Sequence, residues 1–392
     1  MKRIHGNTGK VAAAVALCLA ALGAAGALAG PVERAQAKRI HDRLAGVPAS
    51  EAVLNQMEAE LVAGRPTQAA RIAMQAKTFY TTTLKNWVAP WTNEEQSVFV
   101  PLNDYTATVI GMIRDDVDYR QVLSGDILYV GGNGLPAYSP TDNNLYQQME
   151  DQDVDLSNSS VLVASTQSAH TGVPAAATAG VITTRAASQA FFEAGTNRAM
   201  FRFTMLNHMC KDLEQVLDVT LPPDRVRQDV SRSPGGDSRI YLNSCVGCHN
   251  GMDPLTQSMA YYNWDSTAGR MQYTPGQVQP KYLINQDNFK TGYVTKDDGW
   301  ENYWRSGANT VLGWDPALPG KGTGIKSMGT ELAHSEQFAR CTVEKVFKTV
   351  CLHPPANAQD RAKVNDAINV LKSGGYKLKD VFAETAAYCK GN

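Results

Sequence analysis

The sequence lacks the charge imbalance and the long internal apolar runs that would indicate a nucleic-acid partner or a membrane protein. Its 37 basic and 38 acidic residues nearly cancel, and there is no basic stripe or long run of one charge. We therefore expect no nucleic-acid partner. Beyond residue 29 no stretch is apolar enough to cross a membrane. The remaining chain has the composition of a globular protein and is long enough for two or three packed units.

The sequence also lacks the motifs of several common classes of enzyme and binding protein. Gly131-Gly132-Asn133-Gly134 has neither the Lys-Ser/Thr of a phosphate loop nor the downstream pattern of a dinucleotide fold, which favours a turn. The acidic residues 151–160 lack the glycine and the closing glutamate of a calcium loop, which favours a surface loop. No Ser-His-Asp or Cys-His arrangement can be assigned, so hydrolase chemistry has no support.

Cysteine is scarce, at seven residues of 392, yet two of the seven fall in Cys245-Val246-Gly247-Cys248-His249. This C-x-x-C-H is the attachment pattern of a c-type haem. The two thiols add to the haem vinyl groups as thioethers, and the histidine binds the iron as its proximal ligand. Because the pattern arises by chance in roughly one chain of several hundred at this composition, the motif predicts one covalent haem c.

Three alternative roles for these cysteines compete with haem. A structural zinc site needs a second Cys/His pair at short spacing, and the sequence has none. A thioredoxin-like redox pair follows a strand of a βαβ unit, whereas the flanking residues 240–244 and 250–254 are typical of a short helix and a turn. A disulfide between Cys245 and Cys248 would be strained. We favour haem over all three.

The N-terminus has the features of an export signal. Lys2, Arg3 and Lys10 precede an apolar run from Val11 to Leu28, and Ala27-Leu28-Ala29 fits a cleavage site. An uncleaved membrane anchor is the alternative, because the run is almost long enough to span a bilayer. We expect cleavage, no transmembrane segment afterwards, and a periplasmic, cell-surface or secreted address. That address agrees with the haem, since c-type haem is attached outside the cytoplasm.

Four cysteines remain once Cys18 leaves with the signal and two others bind haem. They are Cys210, Cys341, Cys351 and Cys389. An oxidising compartment favours two disulfides, for which three connectivities exist. We favour Cys351 with Cys389, because the first ends a predicted helix and the second lies near the end of the chain. Cys210 would then pair with Cys341, and free buried thiols are the alternative.

Helical periodicity dominates the sequence and predicts a mainly α fold. Residues 127–130 are expected as a strand or an extended segment. Helices are predicted over residues 32–44, 51–63, 66–87, 102–112, 188–210, 331–351, 358–373 and 378–389. The predicted organisation is a signal peptide at 1–29, a helical N-terminal domain at 30–130, an irregular and helical middle region at 131–235, and a cytochrome c-like helical haem domain with long loops at 236–392.

A distal ligand on the far face of the haem would set its potential, because methionine raises the potential and a second histidine lowers it. We favour Met328, which is expected on a loop just before a helix. The alternatives are His334, Met271, His353, Met259 and an open or water-filled position. Arg270 and Arg305 could pair with the haem propionates, although each could equally be a surface arginine. Trp300 and Trp304 suit an apolar haem pocket or ordinary core packing.

Several segments together carry a resemblance to a known group of proteins. They are Arg43 to Ser50, Arg114 to Tyr119, Gly180 to Thr183, Cys210 with Pro222-Pro223, Cys245 to Leu255, and Ser335 to Cys341. In these segments the chain resembles large exported bacterial proteins whose domains are mostly of unknown function and associated with cytochrome c modules. The chain departs from that group after the Cys341 helix, where Val350-Cys351-Leu352-His353-Pro354 replaces a typical Gly-Arg ending. The resemblance implies a monohaem c-type protein of the periplasm or cell surface, and it implies no reaction.

Three functions remain open from the sequence. The first is electron transfer with a redox partner protein of unknown identity. The second is haem-dependent catalysis, peroxidase-like or otherwise oxidative, which needs an open iron face and a distal acid–base residue. A two-haem peroxidase is disfavoured because only one C-x-x-C-H occurs. The third is a structural or assembly role in a cell-envelope protein complex, with the haem as a redox module.

Overall fold

The structure is a computed structural model, and it describes residues 30–132, 134–193, 195–226, 239, 241–283 and 293–391. Helices account for most of these residues, and the strands are short, so the prediction of a mainly α fold is confirmed. The signal-peptide features of residues 1–29 lie outside the described residues. None of the described helices combines the length and the apolar character needed to cross a lipid bilayer.

The first helices form for local reasons that the sequence shows. The Ser50 hydroxyl caps the second helix by accepting a hydrogen bond from the Val53 amide at 3.3 Å. Pro66 opens the third helix at its first position, and Gly46 ends the first in a left-handed conformation. The elements are α1 Pro31–Ala45, α2 Glu51–Val62, α3 Pro66–Ala73, a π-helical turn Phe79–Leu84, α4 Lys85–Val88, a 3-10 turn Ala89–Thr92, and α5 Asp104–Arg114.

The middle of the chain consists of short helices and one pair of strands. These strands are antiparallel, with Leu128 opposite Ser165 and Gly131 opposite Leu162, which confirms the extended segment predicted at 127–130. The elements are α6 Gln121–Ser124, β1 Leu128–Gly131, α7 Asn144–Asp151, β2 Leu162–Ser165, α8 Ser168–Thr171, 3-10 turns Ala175–Ala177 and Gly180–Thr183, α9 Arg185–Phe191, α10 Arg198–Thr204, a π-helical turn Met205–Met209, and a 3-10 turn Leu213–Gln215.

The last part of the chain begins with the helix of the C-x-x-C-H motif and ends with four consecutive helices. Two further antiparallel strand pairs, β3 with β4 and β5 with β6, lie between them. The elements are a π-helical turn Tyr241–Cys245, α11 Val246–Thr256, a 3-10 turn Gln257–Met259, β3 Tyr262–Asp265, β4 Arg270–Tyr273, 3-10 turns Pro280–Tyr282, Tyr303–Arg305 and Gly307–Leu312, β5 Gly299–Glu301, β6 Lys321–Thr323, α12 Gly324–Ala333, α13 Glu336–Cys351, α14 Ala358–Ser373 and α15 Leu378–Tyr388.

The C-terminal helices pack against the N-terminal helices. α15 lies on α3 and also on α13 and α14. Its Phe382 ring stands edge-on to Phe79 at 5.3 Å and to Trp87 at 5.6 Å between ring centroids. Arg43 of α1 donates to the Cys389 carbonyl at 2.7 Å. The two ends of the described chain therefore meet in one apolar core, which continues into the middle region.

Four predicted elements differ from the structure. The helix predicted at 188–210 is divided into α9, α10 and the π-helical turn Met205–Met209, because Asn197, at a φ of 59°, interrupts the helical backbone before α10. The helix predicted at 66–87 is interrupted after Ala73 and resumes as the π-helical turn. The helix predicted at 331–351 is split, because the Ser335 hydroxyl accepts from the Phe338 amide at 3.2 Å and starts a new helix there. Met328, expected on a loop, lies inside α12. Gly324, at a φ of 74°, turns the chain from β6 directly into that helix, so no loop precedes Met328.

Candidate haem-attachment site

The C-x-x-C-H motif lies where the π-helical turn Tyr241–Cys245 passes into α11. The spacing places Cys245 and Cys248 about one helical turn apart, with His249 directly after the second thiol. Both thiols are free and partly exposed, whereas every other cysteine that the structure describes is in a disulfide. The motif therefore presents two accessible thiols and an adjacent imidazole, which is the donor set of a c-type haem.

The disulfides join Cys210 to Cys341 and Cys351 to Cys389. The Cα–Cα distances are 5.3 Å and 5.5 Å, within the range of native disulfides. This is the pairing that we favoured from the sequence, and it is confirmed. One cysteine of each bridge belongs to α13, so that helix is cross-linked near both of its ends.

His249 is held by a buried carboxylate one turn further along α11. Its Nδ1 lies 3.1 Å from Oδ1 of Asp253, which is fully buried. Residues four apart share one helix face, and this spacing is what lets the two side chains meet. A carboxylate on Nδ1 fixes the tautomer and directs Nε2 toward a metal, a common arrangement around metal-bound histidines.

Arg198 of α10 forms a salt bridge with the same carboxylate. Arg198 Nε lies 3.0 Å from Oδ1 of Asp253, and Nη2 lies 2.9 Å from Oδ2. This two-point geometry is the strong form of an arginine–carboxylate pair. Arg198 and Asp253 were missed from the sequence. The His249–Asp253 spacing could have indicated the carboxylate, but no local signal connects Arg198 to a residue 55 positions away.

An apolar surface borders the two thiols. The Asp218 amide donates to the Gly247 carbonyl at 2.8 Å, which lays residues 217–219 against the motif. A side chain on Gly247 would begin 3.2 Å from Leu217 and 3.4 Å from Val219. We define the apolar rim as Leu217, Val219, Leu242 and Val311, whose exposed fractions are 52%, 64%, 59% and 83%. Such large exposed aliphatic side chains commonly mark a surface that a ligand or partner covers.

Val311 joins this surface through contacts of its own segment. Asn309 donates to the Val216 carbonyl at 2.8 Å, and the Ala308 amide donates to Asp218 at 3.4 Å. The 3-10 turn Gly307–Leu312 is thereby fixed beside residues 216–218. Val311 thereby belongs to a segment that is bonded to residues 216–218, some 90 residues earlier in the chain.

The environment of Cys248 does not activate its thiol. Burial raises its pKa, and the nearby carboxylates of Glu214 and Asp212 raise it further. A catalytic or redox thiol needs the opposite, a lowered pKa that yields the thiolate at neutral pH. The raised pKa of Cys248 therefore does not favour a redox role for this thiol. It is compatible with a thiol that reacts once, with a vinyl group.

Trp304 packs against the back of α11. A Cβ on Gly251 would lie 1.9 Å from the indole Nε1, so only glycine lets the ring come this close. The ring is fully buried, and among the described residues Nε1 has no hydrogen-bond acceptor. A buried donor without an acceptor is costly, so the close packing of Trp304 against Gly251 is kept at the expense of one hydrogen bond.

The candidate distal ligands have different environments. Met328 and Met259 are fully buried in the core, and Met271 is nearly so. Nδ1 of His334 lies 2.9 Å from the Thr330 carbonyl, whereas His353 is exposed and contacts the Pro354 carbonyl at 2.8 Å. None of these contacts tests iron binding, so the distal ligand stays a prediction.

The two candidate propionate partners already contact protein groups. Arg305 Nε and Nη2 lie 2.7 Å and 2.8 Å from the buried carboxylate of Glu331. Arg270 Nη2 donates to the Thr171 carbonyl at 2.7 Å. Arg270 is therefore better suited than Arg305 to a second anionic partner, because a neutral carbonyl does not neutralise its charge.

Within the part of the chain that the structure describes, no group of three or more His, Cys, Asp or Glu side chains converges as metal ligands. Comparison of the chain with protein-family models, with curated proteins and with solved structures found no match. The function is therefore inferred from the chain's own residues.

Proposed function

We propose that the chain is an exported monohaem c-type cytochrome that transfers electrons. Cys245 and Cys248 hold the haem as thioethers, and His249 binds the iron through Nε2. The observation that carries this proposal is the state of the cysteines. Four of the described cysteines are in disulfides, and the two that are free are those of the C-x-x-C-H motif. When bound, the haem supplies a one-electron couple.

The residues around the motif support the fit of a flat apolar group with two carboxylates. The apolar rim offers a face that a porphyrin would cover, removing aliphatic surface from water. Arg270, which donates to the neutral Thr171 carbonyl, is the better suited of the two candidate arginines to a propionate. Asp253, clamped by Arg198, orients His249 and strengthens it as a donor to the iron. In this proposal residues 236–392 form the cytochrome c-like haem domain.

The carboxylate behind His249 also bears on the potential of the proposed cytochrome. A hydrogen bond from Nδ1 to a carboxylate raises the basicity of the ligand, which favours the ferric iron and lowers the potential. Methionine on the far side acts in the opposite direction. Met328 remains our proposed distal ligand. Its place inside α12 means that it would have to reach the iron from a helix rather than from a loop.

The proposed address is the periplasm or cell surface, reached through the signal features of residues 1–29. The proposed partner is a redox protein, within or outside a cell-envelope complex. Removal of Lys2, Arg3 and Lys10 with the signal changes the formal charge from −1 to −4, which leaves no strong overall field to select that partner.

The test is the visible spectrum of the matured, exported protein, ferric and ferrous, with and without carbon monoxide. We expect a pyridine-haemochrome spectrum typical of two thioethers. We also expect a low-spin iron that does not bind carbon monoxide. Haem that is extracted by acid acetone, or a protein without haem, would contradict the proposal. If the iron is low-spin, the variant Met328→Ala tests whether Met328 is the distal ligand.

The second candidate is haem-dependent oxidation at an open iron face. It is favoured by one observation, the carboxylate on Nδ1 of His249, because a more basic proximal ligand stabilises the higher oxidation states of iron. A high-spin iron that binds carbon monoxide readily would support this function over electron transfer. Peroxide consumption by the matured protein would then identify the oxidant.

A further inference from the structure

A second potential site lies in a cavity of about 1170 Å³, and it shares no residue with the haem motif. α1 forms one wall, the π-helical turn with α4 forms the second, and α13 forms the third. This volume is somewhat above the usual range for small-molecule pockets, about 300–1,000 Å³. Because the three walls come from residues 35–46, 82–91 and 345–352, only the folded chain creates the cavity.

Two indole rings line this cavity. Trp87 and Trp91 are one helical turn apart, with ring centroids separated by 4.7 Å and planes inclined at 65°. Trp91 is almost fully buried, whereas Trp87 is partly exposed toward the cavity. Together they present a rigid aromatic surface on which a flat apolar molecule can pack.

The charged residues around the rings are mostly cationic. Five basic side chains line the cavity, and Asp42 is the acidic one among its lining residues. They are Lys38, Arg39, Arg43, Lys345 and Lys348. This local excess contrasts with the chain as a whole, which has 37 basic and 38 acidic residues. Such a cleft concentrates anions.

Three of these five cations have protein partners, whereas among the described residues Lys345 and Lys348 have none. Lys38 pairs with Asp42 at 2.7 Å, and Arg43 donates to the Cys389 carbonyl at 2.7 Å. Lys345 Nζ lies 4.3 Å from the centroid of Trp91, and among the described residues it has no hydrogen-bond acceptor or counter-charge. Burial and the nearby charge of Lys348 lower the pKa of Lys345 to about 7. An anion beside Lys345 would therefore supply the missing partner.

The wall that carries Lys345 is fixed by covalent bonds. Cys341 lies four residues before Lys345 and Cys351 six residues after it, and both are in disulfides. The opposite wall contains a six-residue π-helical turn, a rare element that is frequent at functional sites. A site with fixed walls loses little conformational entropy when a ligand binds.

We propose that this cavity binds a small organic anion with a flat apolar body. The anionic group lies at the Lys345 ammonium, and the ring packs against Trp87 and Trp91. A charge-assisted hydrogen bond to Lys345 supplies orientation, and burial of the apolar body supplies most of the affinity. The site is independent of the haem and would stand if the proposed electron transfer were wrong.

The test is calorimetric titration of the matured protein with 2-naphthoate and with 2-naphthamide, which share a ring system and differ in charge. We expect 2-naphthoate to bind and 2-naphthamide to bind at least tenfold more weakly. Lys345→Met should weaken 2-naphthoate about tenfold to a hundredfold, the loss of one hydrogen bond to a charged group. It should leave 2-naphthamide unchanged. Lys321→Met, at an exposed lysine on β6, is the control and should change neither.

Three results would overturn the proposal. They are no binding of 2-naphthoate at millimolar concentration, equal affinity of the unsubstituted protein for the two compounds, and undiminished binding by Lys345→Met. If Lys345→Met does not fold, Lys345→Arg keeps the charge and Trp87→Leu removes the ring. The first should retain affinity for 2-naphthoate and the second should lose affinity for both compounds, and the reverse pattern contradicts the site.

Discussion

Two helical regions of this protein hold their cysteines in opposite chemical states. At α13, Cys341 and Cys351 are joined to distant parts of the chain, and both residues are buried in the core. At the start of α11, Cys245 and Cys248 are free and partly exposed. The difference lies in their neighbours. Each cysteine of α13 is bonded to a partner cysteine, whereas those of the motif flank Gly247, which the exposed Leu217 and Val219 contact, and precede His249, a setting suited to a cofactor.

The largest expected effect comes from removing the free thiols. Cys245→Ala with Cys248→Ala should abolish covalent haem, because no thioether can form. Haem staining on a denaturing gel measures this outcome. The matched control is Cys351→Ala with Cys389→Ala, which also removes two sulfur atoms and should keep the stain. Equal staining of both double variants would contradict the proposal that only the motif cysteines hold haem.

The next effect concerns the disulfides of α13. Removing Cys210–Cys341, with a sequence separation of 131, should lower the free energy of unfolding by about 5 kcal/mol in a loop-entropy treatment. Removing Cys351–Cys389, with a separation of 38, should cost about 4 kcal/mol. Urea titration of the alanine pairs would show this order. A much smaller cost for both would mean that α13 does not depend on its bridges.

Asp253→Asn tests the clamp behind His249. The variant keeps the shape of the side chain but removes the charge that Arg198 and His249 share, and we expect a loss of about 2–3 kcal/mol. Covalent haem should persist and its reduction potential should rise, because the proximal histidine becomes a weaker donor. Potentiometric titration measures that rise. An unchanged potential would limit Asp253 to a structural role.

Gly251→Ala and Gly247→Ala compare the two faces of α11. The added methyl group at 251 would overlap Trp304, and we expect a loss of about 2 kcal/mol from overpacking. The methyl group at 247 would lie 3.2 Å from Leu217 and 3.4 Å from Val219, which are exposed and can shift, and alanine is the better helix former, so its effect should be near zero. Thermal unfolding of both variants decides this. Similar losses at both positions would contradict the close contact with Trp304.

The smallest effect is a pH dependence on the disulfide-bonded side. Burial lowers the pKa of His208 to about 3, and its Nε2 lies 2.8 Å from the Tyr105 hydroxyl. The unfolded chain therefore binds more protons than the folded one between about pH 3 and pH 6.5, and stability falls as pH falls through that window. The loss from pH 7.5 to pH 5.5 should be about 1 kcal/mol. His208→Gln should remove this part of the slope in urea titrations at the two pH values.

Local signals predicted the elements whose causes are local. The helix expected at 358–373 is observed at Ala358–Ser373. Its N-cap is Asn357, the residue directly before it in the sequence. The thiols and the histidine of the candidate site needed only one turn of chain to be recognised. By contrast, the interruption after Ala73 and the π-helical turn are set by tertiary packing, in which Phe79 contacts Phe382 from the other end of the chain.

The parts that could not be predicted join residues that are far apart in sequence. Arg198 clamps Asp253 across 55 residues, and the cavity brings α1 to α13 across some 300. Periodicity and spacing carry no information about such encounters, because they describe one segment at a time. The prediction for Met328 was wrong for a related reason. Its glycine-rich neighbourhood suggested a loop, yet Gly324 serves as the turn into a helix.

The bridge between Cys210 and Cys341 has a consequence for the order in which the protein is made. Its two ends enclose the whole C-x-x-C-H motif within one covalent ring. A chain emerging N-terminus first exposes Cys210, Cys245 and Cys248 before Cys341 arrives. Oxidation in the order of emergence would therefore favour bridges between Cys210, Cys245 and Cys248. The native pairing therefore requires either that the motif thiols stay capped or reduced until Cys341 has appeared, or that early bridges rearrange by thiol–disulfide exchange.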